Sequence, residues 1–126
     1  MSTVNEMLIG ALSDIAPTAP WIIDEDNSVE RELRRIVFDY STVPETGADN
    51  RPIYDRYIIQ VHYFCPASDD SVAVRKKIKK ALYSAGFDYP SEISVGVDTQ
   101  GDSVVYEQHY CFSTEYLEPI WAEEDE

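Results

Sequence analysis

Tyr57-Ile58-Ile59-Gln60-Val61-His62-Tyr63-Phe64 is the apolar run around which the rest of this 126-residue chain is organised. Its β-branched and aromatic residues are typical of a strand, and Pro66 follows to stop it. Side chains alternate across a pleated strand, so odd-numbered and even-numbered residues of the run lie on opposite faces. Because both sets are fairly apolar, we expect this strand to be central in its sheet.

An amphipathic segment follows this strand after a short polar turn. Asp69, Asp70 and Ser71 supply capping oxygens and negative charge at its start. Gly86 can adopt the left-handed conformation that ends a helix. Apolar residues recur at the spacing of one helical face: Val74, Ile78, Ala81, Leu82 and Ala85. The sequence therefore predicts a strand, a turn and a helix over Val72–Ala85.

Another helix is predicted at the start of the chain. Thr3 and Glu6 have the spacing of a capping box, and Ala16-Pro17 is expected to end the helix. The same apolar spacing recurs here: Val4, Leu8, Ala11, Leu12 and Ile15. We interpret Thr18–Pro20 as a connector and Trp21–Ile23 as a short edge strand.

The remaining segments alternate between strand patterns and turn patterns. Leu33–Thr42 alternates like a half-buried strand, and Val43–Pro52 is rich in turn residues and predicts a long loop. Ile93–Val97 is a third strand pattern, followed by a hairpin signal at Asp98–Asp102. Ser103–Glu115 is predicted to be the longest strand.

These elements predict an α+β fold in which two helices pack on one largely antiparallel sheet of four to five strands. The length suits one domain, which we assign to residues 1–117. Residues 118–126 form an acidic C-terminal tail that ends in Glu-Glu-Asp-Glu. Trp121 is unusual in such a tail, and we expect it to contact this chain or a neighbouring copy.

Charge is unevenly distributed along the chain. The net charge is −14, and all ten basic residues lie between Arg31 and Lys80. Such a protein is unsuited to tight binding of nucleic acid, whose phosphates attract Lys and Arg. The segregation also suggests self-association, in which a basic helix face meets an acidic edge of a neighbour. The candidate helix residues are Arg75, Lys76, Lys79 and Lys80, and the alternative is a solvated helix face.

His62, Cys65, His109 and Cys111 are the residues best suited to a metal or nucleophilic site. They lie on two predicted strands, but His62 and Cys65 should face opposite sides and no Cys-x-x-Cys loop is present. We therefore expect no metal and no cofactor, and two reduced, structural cysteines. No phosphate-binding loop, nucleophile elbow or His-Glu-x-x-His motif is present, so we expect no enzymatic activity. No apolar stretch approaches the length of a membrane span.

The order of these patterns resembles that of tail terminator and tail-completion proteins of long-tailed bacteriophages, including minor capsid and neck proteins of similar build. The resemblance covers Val4 to about Leu117. It is carried by a first helix and by five later segments: Arg35–Tyr40, the loop with Ala48-Asp49-Asn50, the strand Tyr57–Phe64, the helix end Lys80–Phe87 and the strand Tyr106–Phe112.

The resemblance implies a structural virion protein, assembled in the host cytoplasm and located in the tail or neck. Such proteins form a ring, commonly a hexamer, that caps the tail tube protein and faces the head–tail connector. A ring needs two different complementary patches on each subunit. We expect contacts to tube or neighbour at six further residues: Thr46, Asp49, Asn50, Gln100, Asp102 and Trp121.

Three other functions remain open from the sequence. A head-closure protein or neck adaptor would occupy another joint of the same particle. A small acidic intracellular protein that mimics DNA or inhibits a host enzyme would also suit the composition. A metal-dependent hydrolase would require bound metal after purification.

Overall fold

The computed structural model describes residues 3–21, 32–47, 51–99 and 106–120, with the backbone alone at 97–99. In these ranges the chain forms two α-helices and five β-strands, which confirms the predicted α+β fold. The elements in chain order are α1 (Val4–Leu12), β1 (Thr18–Pro20), β2 (Arg35–Thr46), β3 (Pro52–Pro66), α2 (Val72–Ser84), β4 (Ser91–Thr99) and β5 (Tyr106–Pro119).

The five strands form one sheet in the order β1-β2-β3-β5-β4. β1 runs parallel to β2, and every other pairing is antiparallel. β3 contains the apolar run and lies at the centre, paired with β2 on one side and β5 on the other. The predicted central position of this strand is therefore confirmed.

The hydrophobic core lies between the two helices and one face of the sheet. Leu8 and Leu12 of α1 and Ile78 and Leu82 of α2 are fully buried. They pack against alternate strand residues that share this face: Ile36, Phe38, Ile59, Val61, Tyr63, Cys65 and Phe112. The other face carries no helix in the part of the chain that the structure describes, and we call it the open face.

Local signals set the start of both helices and the end of α2 as predicted, but α1 ends at Leu12, before the predicted end at Ala16-Pro17. The Thr3 side chain accepts a hydrogen bond from the Glu6 backbone N–H, as in a capping box. The Asp70 carboxylate accepts from the Val72 backbone N–H at 3.2 Å at the start of α2. Gly86, with φ +109°, follows the last turn of α2 in the left-handed region that favours glycine.

Several predicted boundaries were wrong. β2 continues through Thr46 and β3 starts at Pro52, so five of the ten residues of the loop predicted at Val43–Pro52 belong to two paired strands. Among the described residues, β1 pairs with β2 as far as Phe38, so no described strand lies beside Pro44 on that side of β2, a position at which proline is tolerated.

The ends of the sheet also differ from the sequence-based prediction. The connector predicted at Thr18–Pro20 is the edge strand β1. Among the described residues β3 has 15 residues and β5 has 14, and Ser103–Val105 of the predicted last strand lie outside the described ranges. β5 extends to Pro119, four residues beyond the predicted end of the last strand at Glu115. Gly96 in β4 has φ +128°, and the pairing with β5 shifts register between Ser94 and Gly96, which forms a bulge.

Candidate assembly surface

One end of the sheet exposes apolar side chains on the open face. We call this region the exposed sheet end and define it as Val43–Thr46, Pro52–Ile58 and Glu115–Pro119. Strand alternation places four large side chains on its open face with 38% to 48% of their surface exposed: Val43, Tyr54, Ile58 and Leu117. Contiguous exposed apolar residues of this kind mark contact surfaces between proteins.

Arg56 lies in the middle of this apolar group. Its register partners are Val43 on β2 and Leu117 on β5. Its guanidinium is 2.6 Å from the Glu45 carboxylate and 3.5 Å from that of Glu115, so it joins the three strands. An arginine surrounded by apolar side chains is the composition typical of an interface centre.

The basic residues of α2 divide into two groups. Arg75 and Lys79 both contact the Glu92 carboxylate of β4, at 2.8 and 3.3 Å. The Arg75 guanidinium also lies 4.4 Å from the centre of the Tyr110 ring. These two side chains tie α2 to the sheet of their own chain. Lys76 and Lys80, in contrast, are exposed.

Of the six other predicted contact residues, the structure describes only Thr46. Thr46 is exposed and forms the last residue of β2, where the pairing with β3 becomes irregular. Five residues lie outside the described parts of the chain: Asp49, Asn50, Gln100, Asp102 and Trp121.

The opposite end of the open face carries a buried ion pair that was not predicted. The Arg35 guanidinium binds both carboxylate oxygens of Glu107, at 2.9 and 3.1 Å, and both side chains are about 90% buried. The guanidinium crosses β3 over the Phe64 ring, 4.2 Å from its centre. The pair thus joins β2 to β5 across the central strand. Its residues are 72 positions apart in sequence, and only the strand order brings them together.

Two histidines lie beside this ion pair. His62 Nδ1 and His109 Nε2 are 2.8 Å apart, on diagonal positions of β3 and β5. The His109 ring stacks on Phe64, and the edge of Trp21 packs against His62 at 4.7 Å between ring centres. We call Arg35, His62, Phe64, Glu107 and His109 the polar cluster.

Burial keeps both imidazoles neutral. Burial lowers the pKa of His62, although the negative charge of Asp39 acts to raise it. Burial, the neighbouring His62 and Arg35 lower the pKa of His109 to about 4, although Glu107 opposes the shift. At neutral pH the N–H of one ring donates a hydrogen bond to the other ring, and two charged rings would repel at this distance.

The histidine pair predicts a pH-dependent stability. The unfolded chain binds more protons than the folded chain between about pH 4 and 6.5, so the free energy of unfolding falls as the pH falls through this range. The decline should stay below about 1.4 kcal/mol per pH unit, because the rings are only partly shielded from solvent. Urea denaturation from pH 4.5 to 7.5 should give a shallower slope for His109→Phe than for the wild type. Equal slopes would show that the histidine does not resist protonation.

The thiols show no sign of catalytic chemistry. Cys65 faces the core and Cys111 faces the opposite side of the sheet, and both are free. Burial raises the pKa of both thiols, so neither is a thiolate nucleophile at neutral pH. Among the described residues, no group of three or more His, Cys, Asp or Glu side chains is placed to hold a metal ion.

Comparisons with known proteins give no family assignment, because no family model and no curated protein matches the chain. Within the described ranges, neither helix has the length and apolar character needed to cross a membrane.

Proposed function

We propose that this chain is a structural protein of a bacteriophage virion, a tail terminator that forms a ring on the tail tube and joins it to the neck. The observation that carries the proposal is the exposed sheet end. Val43, Ile58 and Leu117 form an apolar group there, around an ion-paired Arg56. A surface of this composition supports a role in binding other subunits more than a role in catalysis.

Two unlike surfaces support a ring over a closed dimer. The exposed sheet end is mainly apolar. The outer face of α2, in contrast, presents Lys76 and Lys80, which would attract a neighbouring subunit because each subunit has a net charge of −14. Unlike surfaces on one subunit form head-to-tail contacts, and these close into a ring when the rotation between neighbouring subunits closes. A ring of acidic subunits would also let DNA pass through it without binding tightly.

A charge placed on the exposed sheet end tests the proposal. Ile58→Asp should abolish capping of purified tail tubes, because an unpaired carboxylate would be buried in the contact. The chain should stay folded, since Ile58 is 41% exposed and lies opposite the helices. Electron microscopy of tubes and a tube co-sedimentation assay provide the measurement.

The matched control is Leu33→Asp, which introduces the same charge at a residue 52% exposed just before β2, away from Thr46 and the exposed sheet end. It should cap tubes like the wild type. A wild-type protein that binds isolated head–tail connectors and not tubes would instead identify a neck adaptor. A protein that binds neither would remove the virion proposal.

A further inference from the structure

The outward face of α2 carries a stripe of exposed basic and apolar side chains. Val72, Lys76, Lys80 and Tyr83 follow one another at spacings of four and three residues, which places them on one side of the helix, away from Ile78 and Leu82. All four are exposed, Tyr83 by 63%. We call these four residues, together with Tyr89, the α2 stripe.

Two tyrosines form an aromatic surface at one end of this stripe. The Tyr83 and Tyr89 rings meet edge to face, 6.0 Å between centres, and Tyr89 is 57% exposed. The other end offers two lysines that have no carboxylate assigned to them among the described residues. Lys79, on the flank of the stripe, is already paired with Glu92. The stripe therefore suits a ligand with an aromatic residue followed by several acids.

One segment of this chain has that composition. Trp121 is followed by four acidic residues within the next five positions, Glu123 to Glu126. The indole can pack against tyrosine rings, and the carboxylates can pair with Lys76 and Lys80.

Distance favours the segment of another subunit over that of the same chain. The Ile120 backbone N–H donates to the Ile53 carbonyl, which fixes the end of β5 at the exposed sheet end. The residues after α2 meet β5 at Glu115, where the Asp88 N–H donates to the Glu115 carbonyl. Five strand residues separate these levels, roughly 17 Å. The chain continues from Ile120 in steps of about 4 Å per residue, so the segment of the same chain would have to turn back along β5 to meet the tyrosines.

We infer that the α2 stripe binds the segment Trp121–Glu126 of a second copy of this chain. Trp121 packs on Tyr83 and Tyr89, and the acids that follow it pair with Lys80 and Lys76. Each subunit donates one segment and accepts another, so the contact is head-to-tail. The inference rests on the self-association contained in the proposed function and assigns a specific contact to it.

Charge exchange between the two surfaces tests this contact in the full chain. The helix variant is Lys76→Glu with Lys80→Glu, and the segment variant is Glu123→Lys with Glu124→Lys. Each alone should weaken self-association at least tenfold in low salt, and the chain with all four changes should regain it. The measurement is weight-average mass by light scattering over a concentration series, repeated at high salt, where screening weakens the contact.

The design separates a specific contact from general repulsion. The segment variant is less negative than the wild type, so weaker association cannot come from net charge. Lys76→Glu and Lys77→Glu have equal net charge, but Lys77 lies about 100° around the helix from Lys76. Only Lys76→Glu should weaken self-association.

Each outcome supports or overturns the contact between the α2 stripe and Trp121–Glu126. Restoration by the fourfold change, with Lys77→Glu unaffected, supports the contact. Wild-type association that neither variant alters overturns the contact and leaves the proposed ring to other surfaces. A wild type that stays monomeric at all concentrations yet caps tubes overturns the contact and leaves the terminator function standing. A monomer that does not cap tubes overturns both.

Discussion

Replacing Glu107 with glutamine should lower the free energy of unfolding by about 3–5 kcal/mol, because it leaves the Arg35 guanidinium buried without a counter-charge. The two side chains are only 10% and 11% exposed and share two hydrogen bonds. Water therefore cannot replace the lost carboxylate. The measurement is urea denaturation at neutral pH, with the change read from the midpoint at constant slope.

The neighbouring arginine provides a matched control. Arg34 also makes two hydrogen bonds to one carboxylate, that of Asp69, but its side chain is 55% exposed. Arg34→Met should therefore leave the midpoint almost unchanged, because water replaces the partner. Arg35→Met combined with Glu107→Leu should recover most of the loss, since no unpaired charge remains. A midpoint shift for Glu107→Gln no larger than that of Arg34→Met would show that solvent reaches the pair.

Phe112→Ala should have an effect of similar size, about 3–5 kcal/mol, for a different reason. Phe112 is fully buried and faces the helices from β5, beside Val61 of β3. Removing the ring loses its transfer free energy and leaves a cavity that two surrounding strands and α2 cannot close. Thermal and urea denaturation should both detect the loss.

Tyr106 is the control on the same strand. It is 58% exposed, so Tyr106→Ala should cost less than about 1 kcal/mol. If the two substitutions had equal effects, the helices would not pack tightly on β5.

The sequence correctly predicted the elements whose signals lie in residues close together along the chain. The capping box of Thr3, the apolar spacing of α2 and the composition of Tyr57–Phe64 are local signals, and each identified its element correctly. Pairing between strands overrode weaker local signals. Turn-forming residues at Val43–Pro52 predicted a loop, but twelve-residue pairing of β2 with β3 holds half of this segment in the sheet.

The polar cluster could not be predicted, because no local pattern links its members. Arg35 and Glu107 became partners only through the order β2-β3-β5, which the sequence does not specify. The basic residues of α2 also differ in their surroundings, which the sequence did not predict. All were equivalent in the sequence pattern, but Arg75 and Lys79 face β4 and Glu92, whereas Lys76 faces solvent. The direction in which a helix residue points depends on the element that packs beside it.

The bulge at Gly96 has a consequence for aggregation. β4 is an outer strand of the sheet, and Ile93 and Val95 on it are largely exposed. A regular outer strand with such side chains is a template for amyloid-like growth by unfolded or neighbouring chains. The positive φ of Gly96 breaks the regular ladder within this strand. A non-glycine residue would be strained there, so we expect Gly96 to preserve the bulge and thereby to limit pairing between the outer strands of different copies when the protein is concentrated.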